Sequence, residues 1–201
     1  MLNKSTKLKK VDVSRARVLD AAAHIFRERG FVGTTMRAIA QDAGIEAGSI
    51  YYHFKSKDEL IGAVLDYGIR ALQSSVTTEI NKLPNSSSSR ERIEWAIKAH
   101  VAAIVEYGDY TLAMRRVFGQ VPIAVWKKHV KLREEYGDFW QKLLVDAQKQ
   151  GGLRKDIDLT VARLFLLGGL NWTVEWFKPK KHSLEKIAET FSTLILDGMK
   201  K

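Results

Sequence analysis

The stretch from Thr34 to Lys57, TTMRAIAQDAGIEAGSIYYHFKSK, constrains the fold of this chain more than any other. Thr34 is of the N-cap type, and Met36, Ile39 and Ala40 follow it at helical spacing. Gly44 then supplies a residue without a Cβ where a helix must turn back sharply. A second short helix is expected from near Glu46, with Ile50 and Phe54 four residues apart on one apolar side. Gly48, Ser49, Tyr51, Tyr52 and His53 fall on its other faces. Small residues near the start, with phenol and imidazole tips beyond, suit a helix that enters the major groove of DNA. The motif, about residues 35–54, reads as a helix-turn-helix.

The flanking sequence supplies the rest of an all-α chain. Residues 1–11 are lysine-bearing and too poor in apolar side chains to fold alone, so they are expected to be a flexible basic arm. A first helix is expected from about Asp12 or Ser14 to Arg29, with Val18, Ala22, Ile25 and Phe26 on one side and Gly30 as its C′ residue. Ser56 and Glu59 form a capping box, which opens a long helix to about Ile80. Leu83 to Ser89 is a Pro- and Ser-rich loop, and Ser88 with Glu91 forms a second capping box for a helix to Tyr107. A short helix over about 109–118, one from Pro122 to about Gln150, one capped by Asp158 and one capped by Ser183 complete the chain. The expected architecture is a three-helix DNA-binding head over residues 12–57 and a helical regulatory and dimerisation domain over 58–201.

Charge and chemistry narrow the function. The 201 residues carry a formal net charge of +10. Residues 1–57 hold eleven basic side chains against five acidic ones, a surplus that attracts phosphate without reading sequence. There is no cysteine, which excludes disulfides and thiolate chemistry. No run is long enough to span a membrane, and the start lacks a signal-peptide apolar region, so a cytoplasmic protein is expected. The five histidines show no metal-ligand spacing, and neither a nucleophile motif nor a phosphate-binding glycine loop is present. No catalytic residue, cofactor or metal is therefore expected.

Two features of the second half point to a ligand. Tyr110 to Arg133 contains Arg115, Arg116, Lys127, Lys128, Lys131 and Arg133 and not one acid. It is either a solvated basic face or a site for an anionic effector. Trp126, Trp140 and Trp172 belong to an aromatic set that is either plain core or the lining of an apolar cavity. Asn171 is polar within an apolar helix and should face a pocket or an interface. That helix, from Val161 to Leu170, is apolar on more than one face, and Gly168 and Gly169 suit close approach of another helix. Leu164 lies within it. The final helix offers Ile187, Phe191 and Leu194, with one face for the core and another needing a partner.

Phe31-Val-Gly-Thr-Thr-Met, Ile39-Ala40, Ala43-Gly44-Ile45, Gly48-Ser-Ile-Tyr-Tyr-His-Phe54 and Ser56-Lys57 resemble the DNA-binding signature of the TetR family of bacterial repressors. The resemblance covers about residues 12–65. It implies a homodimer on a palindromic DNA operator, with Thr34, Thr35, Gly48, Ser49, Tyr51, Tyr52, His53 and Lys57 facing DNA and Arg37 adding a phosphate contact. It also implies a four-helix dimer interface formed by Leu164, Gly168, Gly169, Ile187, Phe191 and Leu194. Where the family commonly has Ser or Thr and often Lys, this chain has Glu46 and Ala47, and the carboxylate favours the helix dipole but repels phosphate. Leu170 to Pro179 resembles a segment of members that answer to acyl-CoA thioesters, which makes such a thioester the expected effector. The implied function is a ligand-responsive repressor. A ligand-independent activator or architectural DNA binder is the alternative.

Overall fold

The structure, a computed structural model, describes the backbone of residues 3–200 and the side chains of residues 14–200. Among the described residues there are helices and no strand: α1 (Asn3–Arg29), α2 (Met36–Asp42), α3 (Lys57–Asn81), α4 (Ser89–Glu106), α5 (Gly108–Val117), α6 (Ile123–Lys149), α7 (Leu159–Trp176) and α8 (Leu184–Ser192). α8 runs on into a π-helical turn over Thr193–Asp197. No described helix is long and apolar enough to cross a membrane.

The caps sit where the local sequence places them. Ser88 accepts from the Glu91 N–H, Asp158 from those of Thr160 and Val161, and Ser183 from that of Lys186. Gly30, Gly44 and Gly151 adopt positive φ at the helix ends, the conformation only glycine reaches without strain. The Ser56 hydroxyl accepts from the Glu59 N–H at 3.1 Å, while the Glu59 carboxylate reaches back to the Lys55 N–H at 2.8 Å.

Two starts differ from expectation. α1 begins at Asn3, not near Asp12. The intervening lysines, leucine, serine and threonine include no Gly or Pro, so propagating a helix already nucleated costs little there. Met1 and Leu2 of the expected arm lie outside the described residues. The second helix of the helix-turn-helix is not an α-helix from Glu46 but a 3₁₀ turn over Ser49–Tyr52. Gly48 and Ser49 are weak helix formers, and three-residue bonds such as His53 N–H to the Ile50 carbonyl at 3.0 Å close this segment more tightly.

The chain divides into two compact units. One holds the residues up to Gly68 together with Asp109–Val130, and the other holds Ile69–Gly108 with Lys131–Lys201. The expected limits at 57 and 58 therefore part the chain differently. In the first unit α1 packs against α2, and Val18, Ala22, Ile25 and Phe26 of α1 are fully or nearly fully buried, as are Ile39, Ala40, Ile50, Phe54, Leu60 and Val64. In the second, α4 packs against α7 and α8 around Ile93, Ile97, Ile104, Trp140, Leu144, Leu166 and Leu170.

Candidate DNA interface and effector core

The first unit presents the groove-facing residues on a braced frame. Thr35 caps α2 by accepting from the Ala38 N–H, and the Ile45 N–H returns to the Ala40 carbonyl at 3.0 Å beyond Gly44. From α1, Arg17 donates to the Ala43 carbonyl at 2.7 Å and the Arg15 guanidinium lies 4.8 Å from the Phe54 ring centre. With Ile50 and Phe54 buried, Tyr51 and Tyr52 are turned outward, and Tyr52 is 89% exposed. Thr35, Arg37 and Gly48 are exposed, and Ser49 and His53 are half-buried. The His53 ring is hydrogen-bonded through Nε2 to the Ser14 hydroxyl at 2.9 Å, which orients it.

Two expected DNA residues have structural work instead. Thr34 is 1% exposed, and its hydroxyl donates to the Gly30 carbonyl at 2.6 Å, so it cannot face DNA. Lys57 donates to the carbonyls of Phe31 at 2.8 Å and Thr34 at 2.9 Å, and its ammonium sits 4.3 Å from the Phe31 ring centre. It clamps the turn that leads into α2, with at most one N–H left for a phosphate.

The basic run is divided between the two units. Arg115, Arg116, Trp126, Lys127 and Lys128 belong to the first unit, whereas Lys131 and Arg133 belong to the second. Lys128 is paired with Asp66 at 3.0 Å. Trp126 packs edge-on to Phe118, with ring centres 5.1 Å apart. α5 and the start of α6 are built into the DNA-binding unit: Tyr110 donates to Asp20 at 2.6 Å and Arg27 to Asp109 at 2.5 Å. Burial and the neighbouring Asp20 push the Tyr110 hydroxyl far above the ordinary phenol range, so it stays a donor.

In the second unit a polar triad is enclosed by an apolar core. His100 is fully buried on α4. The Tyr136 hydroxyl lies 2.9 Å from its Nδ1 and Asn171 Oδ1 lies 3.1 Å from its Nε2. An amide oxygen only accepts, so Nε2–H donates to Asn171 and Nδ1 accepts from Tyr136, which is the pattern of a neutral imidazole. Burial lowers the His100 pKa to about 4, against the raising effect of the Asn171 bond. Burial likewise raises the Tyr136 hydroxyl. Trp140 is fully buried and edge-on to both His100 and Tyr136. His100 was not among the expected site residues, and the available signal was an imidazole in the apolar stripe of Ile93, Ala96, Ile97 and Ile104. On α7, Arg163 lies against Gly137, where any Cβ would collide with its guanidinium, and its buried Nε has no hydrogen-bond partner.

α7 also corrects the placing of Trp172 and Gly169. Trp172 is 54% exposed on the side of α7 away from Leu166 and Leu170, so it does not share the core of Trp140. A Cβ on Gly169 would stand 2.6 Å from the Phe191 ring of the same chain, so this glycine serves packing of α7 on α8. Gly168 has open space instead, and it lies in an outward stripe with Val161, Leu164, Phe165, Trp172 and Trp176, all exposed. Of the expected interface residues on the last helix, Leu194 is 71% exposed, while Ile187 and Phe191 pack against their own core.

Comparison with known proteins accords with this arrangement. Residues 18–64 match the model for bacterial regulatory proteins of the tetR family, and residues 86–199 match the tetracyclin repressor-like C-terminal domain. The chain is 29% identical to the HTH-type transcriptional repressor KstR2 of Rhodococcus jostii (strain RHA1), over 92% of this chain and 90% of that protein. It superposes on the TetR family regulator PfmR of Thermus thermophilus with a TM-score of 0.79 at 24% identity, over 92% of this chain and 100% of that one. It superposes on AibR, solved with isovaleryl coenzyme A and operator DNA, with a TM-score of 0.78 at 22% identity, over 90% and 97%. A helix-turn-helix with outward tyrosines, joined to a helical core, is the arrangement these family models describe: the chain belongs to the TetR family and is a ligand-responsive, DNA-binding transcriptional repressor.

Proposed function

We propose that this repressor leaves a palindromic operator when an acyl-CoA thioester binds the core around His100. The observation that carries the reading is the neutral His100–Tyr136–Asn171 triad, three convergent polar groups in an otherwise apolar core. Such a core suits an acyl chain beside Trp140, with a donor from the triad for the thioester carbonyl. The anionic nucleotide needs cations, and Arg163, Lys131 and Arg133 of the same unit supply them. AibR, a fold relative, was solved with isovaleryl coenzyme A. The dimer that meets two half-sites forms through the outward stripe of α7 and Leu194. Tyr51, Tyr52 and the exposed residues Thr35, Arg37 and Gly48 meet the DNA, with Ser49 and His53 beside them.

The test is a titration of acetyl-, isovaleryl- and palmitoyl-CoA, and of the matching free acids, against the labelled operator complex. At least one thioester should release the operator where its free acid does not. Arg163→Gln should raise the thioester concentration required by about tenfold, the effect of removing one charge-assisted hydrogen bond. Lys128→Ala, which removes a partner of Asp66, should not. Free acids as effective as thioesters, or an Arg163→Gln response equal to wild type, overturn the reading.

A further inference from the structure

Gln120 lies on the turn between α5 and α6, outside the residues assigned so far. Gly119, at φ +75°, ends α5 in the left-handed region, and the Gln120 N–H closes the turn onto the Val117 carbonyl at 2.9 Å. The side-chain amide is fastened at both ends. Its Nε2 donates to the Arg116 carbonyl at 2.8 Å. Its Oε1 accepts from the backbone N–H of Phe31 at 2.9 Å and that of Val32 at 3.4 Å. Gly30 makes room for it, since a Cβ there would stand 2.7 Å from Oε1 and 3.2 Å from Nε2. The turn between α1 and α2 therefore has three clamps: the Thr34 hydroxyl within it, the Lys57 ammonium from α3, and the Gln120 amide. Only the last comes from outside the helix-turn-helix and α3.

We propose that Gln120 is a positioning residue for operator binding, which holds the Gly30–Thr34 turn, and with it α2, in the geometry that fits DNA. It does so from a place that effector binding can move. The turn leads directly into α6, which carries Tyr136 and Trp140 farther along, so a shift of α6 withdraws the acceptor from Phe31 and Val32. This step rests on the effector reading above. Loss of both bonds leaves the turn held by the Lys57 ammonium and the Thr34 hydroxyl.

The test uses the full-length protein, with operator affinity measured by anisotropy and residue-level amide exchange by NMR. In Gln120→Ala the Phe31 and Val32 amides should lose protection, and operator affinity should fall by about tenfold, as expected when one or two hydrogen bonds are removed. Gln120→Glu keeps an acceptor for both amides but sets its second carboxylate oxygen against the Arg116 carbonyl, so it should restore protection and affinity only in part. Wild-type affinity in Gln120→Ala, or lost affinity with the Phe31 and Val32 amides still protected, overturns the positioning role. In the wild type, whichever of isovaleryl- and palmitoyl-CoA releases the operator should also expose the Phe31 and Val32 amides. Release with both amides still protected overturns the link to α6. If neither thioester releases the operator, the effector reading fails by itself, and the Gln120 variants still decide the positioning role.

Discussion

Thr34 and Tyr52 carry hydroxyls with opposite fates. The Thr34 hydroxyl is buried on the Gly30 carbonyl, so Thr34→Val should lower folding stability by about 1 kcal/mol and leave the ranking of operator sequences unchanged. Tyr52 is exposed and supports nothing, so Tyr52→Ala should cost about 1–3 kcal/mol of operator affinity per protomer without changing stability. Denaturant unfolding and operator anisotropy on the same two variants check both. His100 makes a third residue-scale case. Its pKa is depressed to about 4 when folded, so its stabilising contribution is present above the unfolded value of about 6.5. That contribution is lost as pH falls toward 4. Between pH 7 and pH 5 the wild type should lose about 2 kcal/mol through this group. His100→Gln should remove that part of the pH dependence. Equal losses in wild type and variant, measured by urea unfolding at the two pH values, would show that His100 does not titrate as its burial requires.

At the scale of elements, α7 has two apolar stripes, one packed in the core and one exposed. Leu159, Leu166 and Leu170 are buried in their own core, whereas Leu164, Phe165 and Trp172 are exposed. Gly169 belongs to the inner contact with Phe191, so Gly169→Leu should lower the thermal midpoint of the protomer itself. Phe165→Glu charges only the outer stripe and should give a folded monomer. Sedimentation velocity with circular dichroism separates the two outcomes. A Phe165→Glu protein that remains dimeric at micromolar concentration rules out the outer stripe as the interface. The 3₁₀ turn at Ser49–Tyr52 shows the same division at short range. Ile50 and Phe54 hold it inward, and the weak helix formers before it set how tightly it winds.

For the whole molecule, the grouping of Asp109–Val130 with the DNA-binding unit changes what the basic run means. Arg115, Arg116, Lys127 and Lys128 add charge to the unit that already carries Arg37 and the basic residues of α1. Operator binding should therefore weaken steeply with salt. Arg37→Ala should flatten the plot of log affinity against log salt by about one unit for each phosphate no longer neutralised, equally for all sequences. An unchanged slope across a salt series would place Arg37 away from the phosphates.

Much of this protein was determined by sequence alone, because the signals involved are satisfied within a few residues of chain. Ser88, Asp158 and Ser183 cap the helices they precede, Gly30 and Gly44 take left-handed φ, and Ile39, Ile50 and Phe54 are buried as their spacing requires. The helix-turn-helix and the all-α class follow from such local terms. The remaining assignments depended on which distant helices meet, and no periodicity reports that. Thr34 and Lys57 lie in the DNA-binding signature, yet their partners are the backbone of the preceding turn. His100 looks like one of five scattered histidines until α6 and α7 bring Tyr136 and Asn171 to its two nitrogens. Trp140 and Trp172 have the same apolar surface to bury, but the rotation of each helix about its axis put one in the core and left the other exposed. Only the tertiary structure decided these, because a side chain's environment is set by what packs against it, and, the Thr34–Gly30 bond apart, those partners lie tens of residues away in the chain.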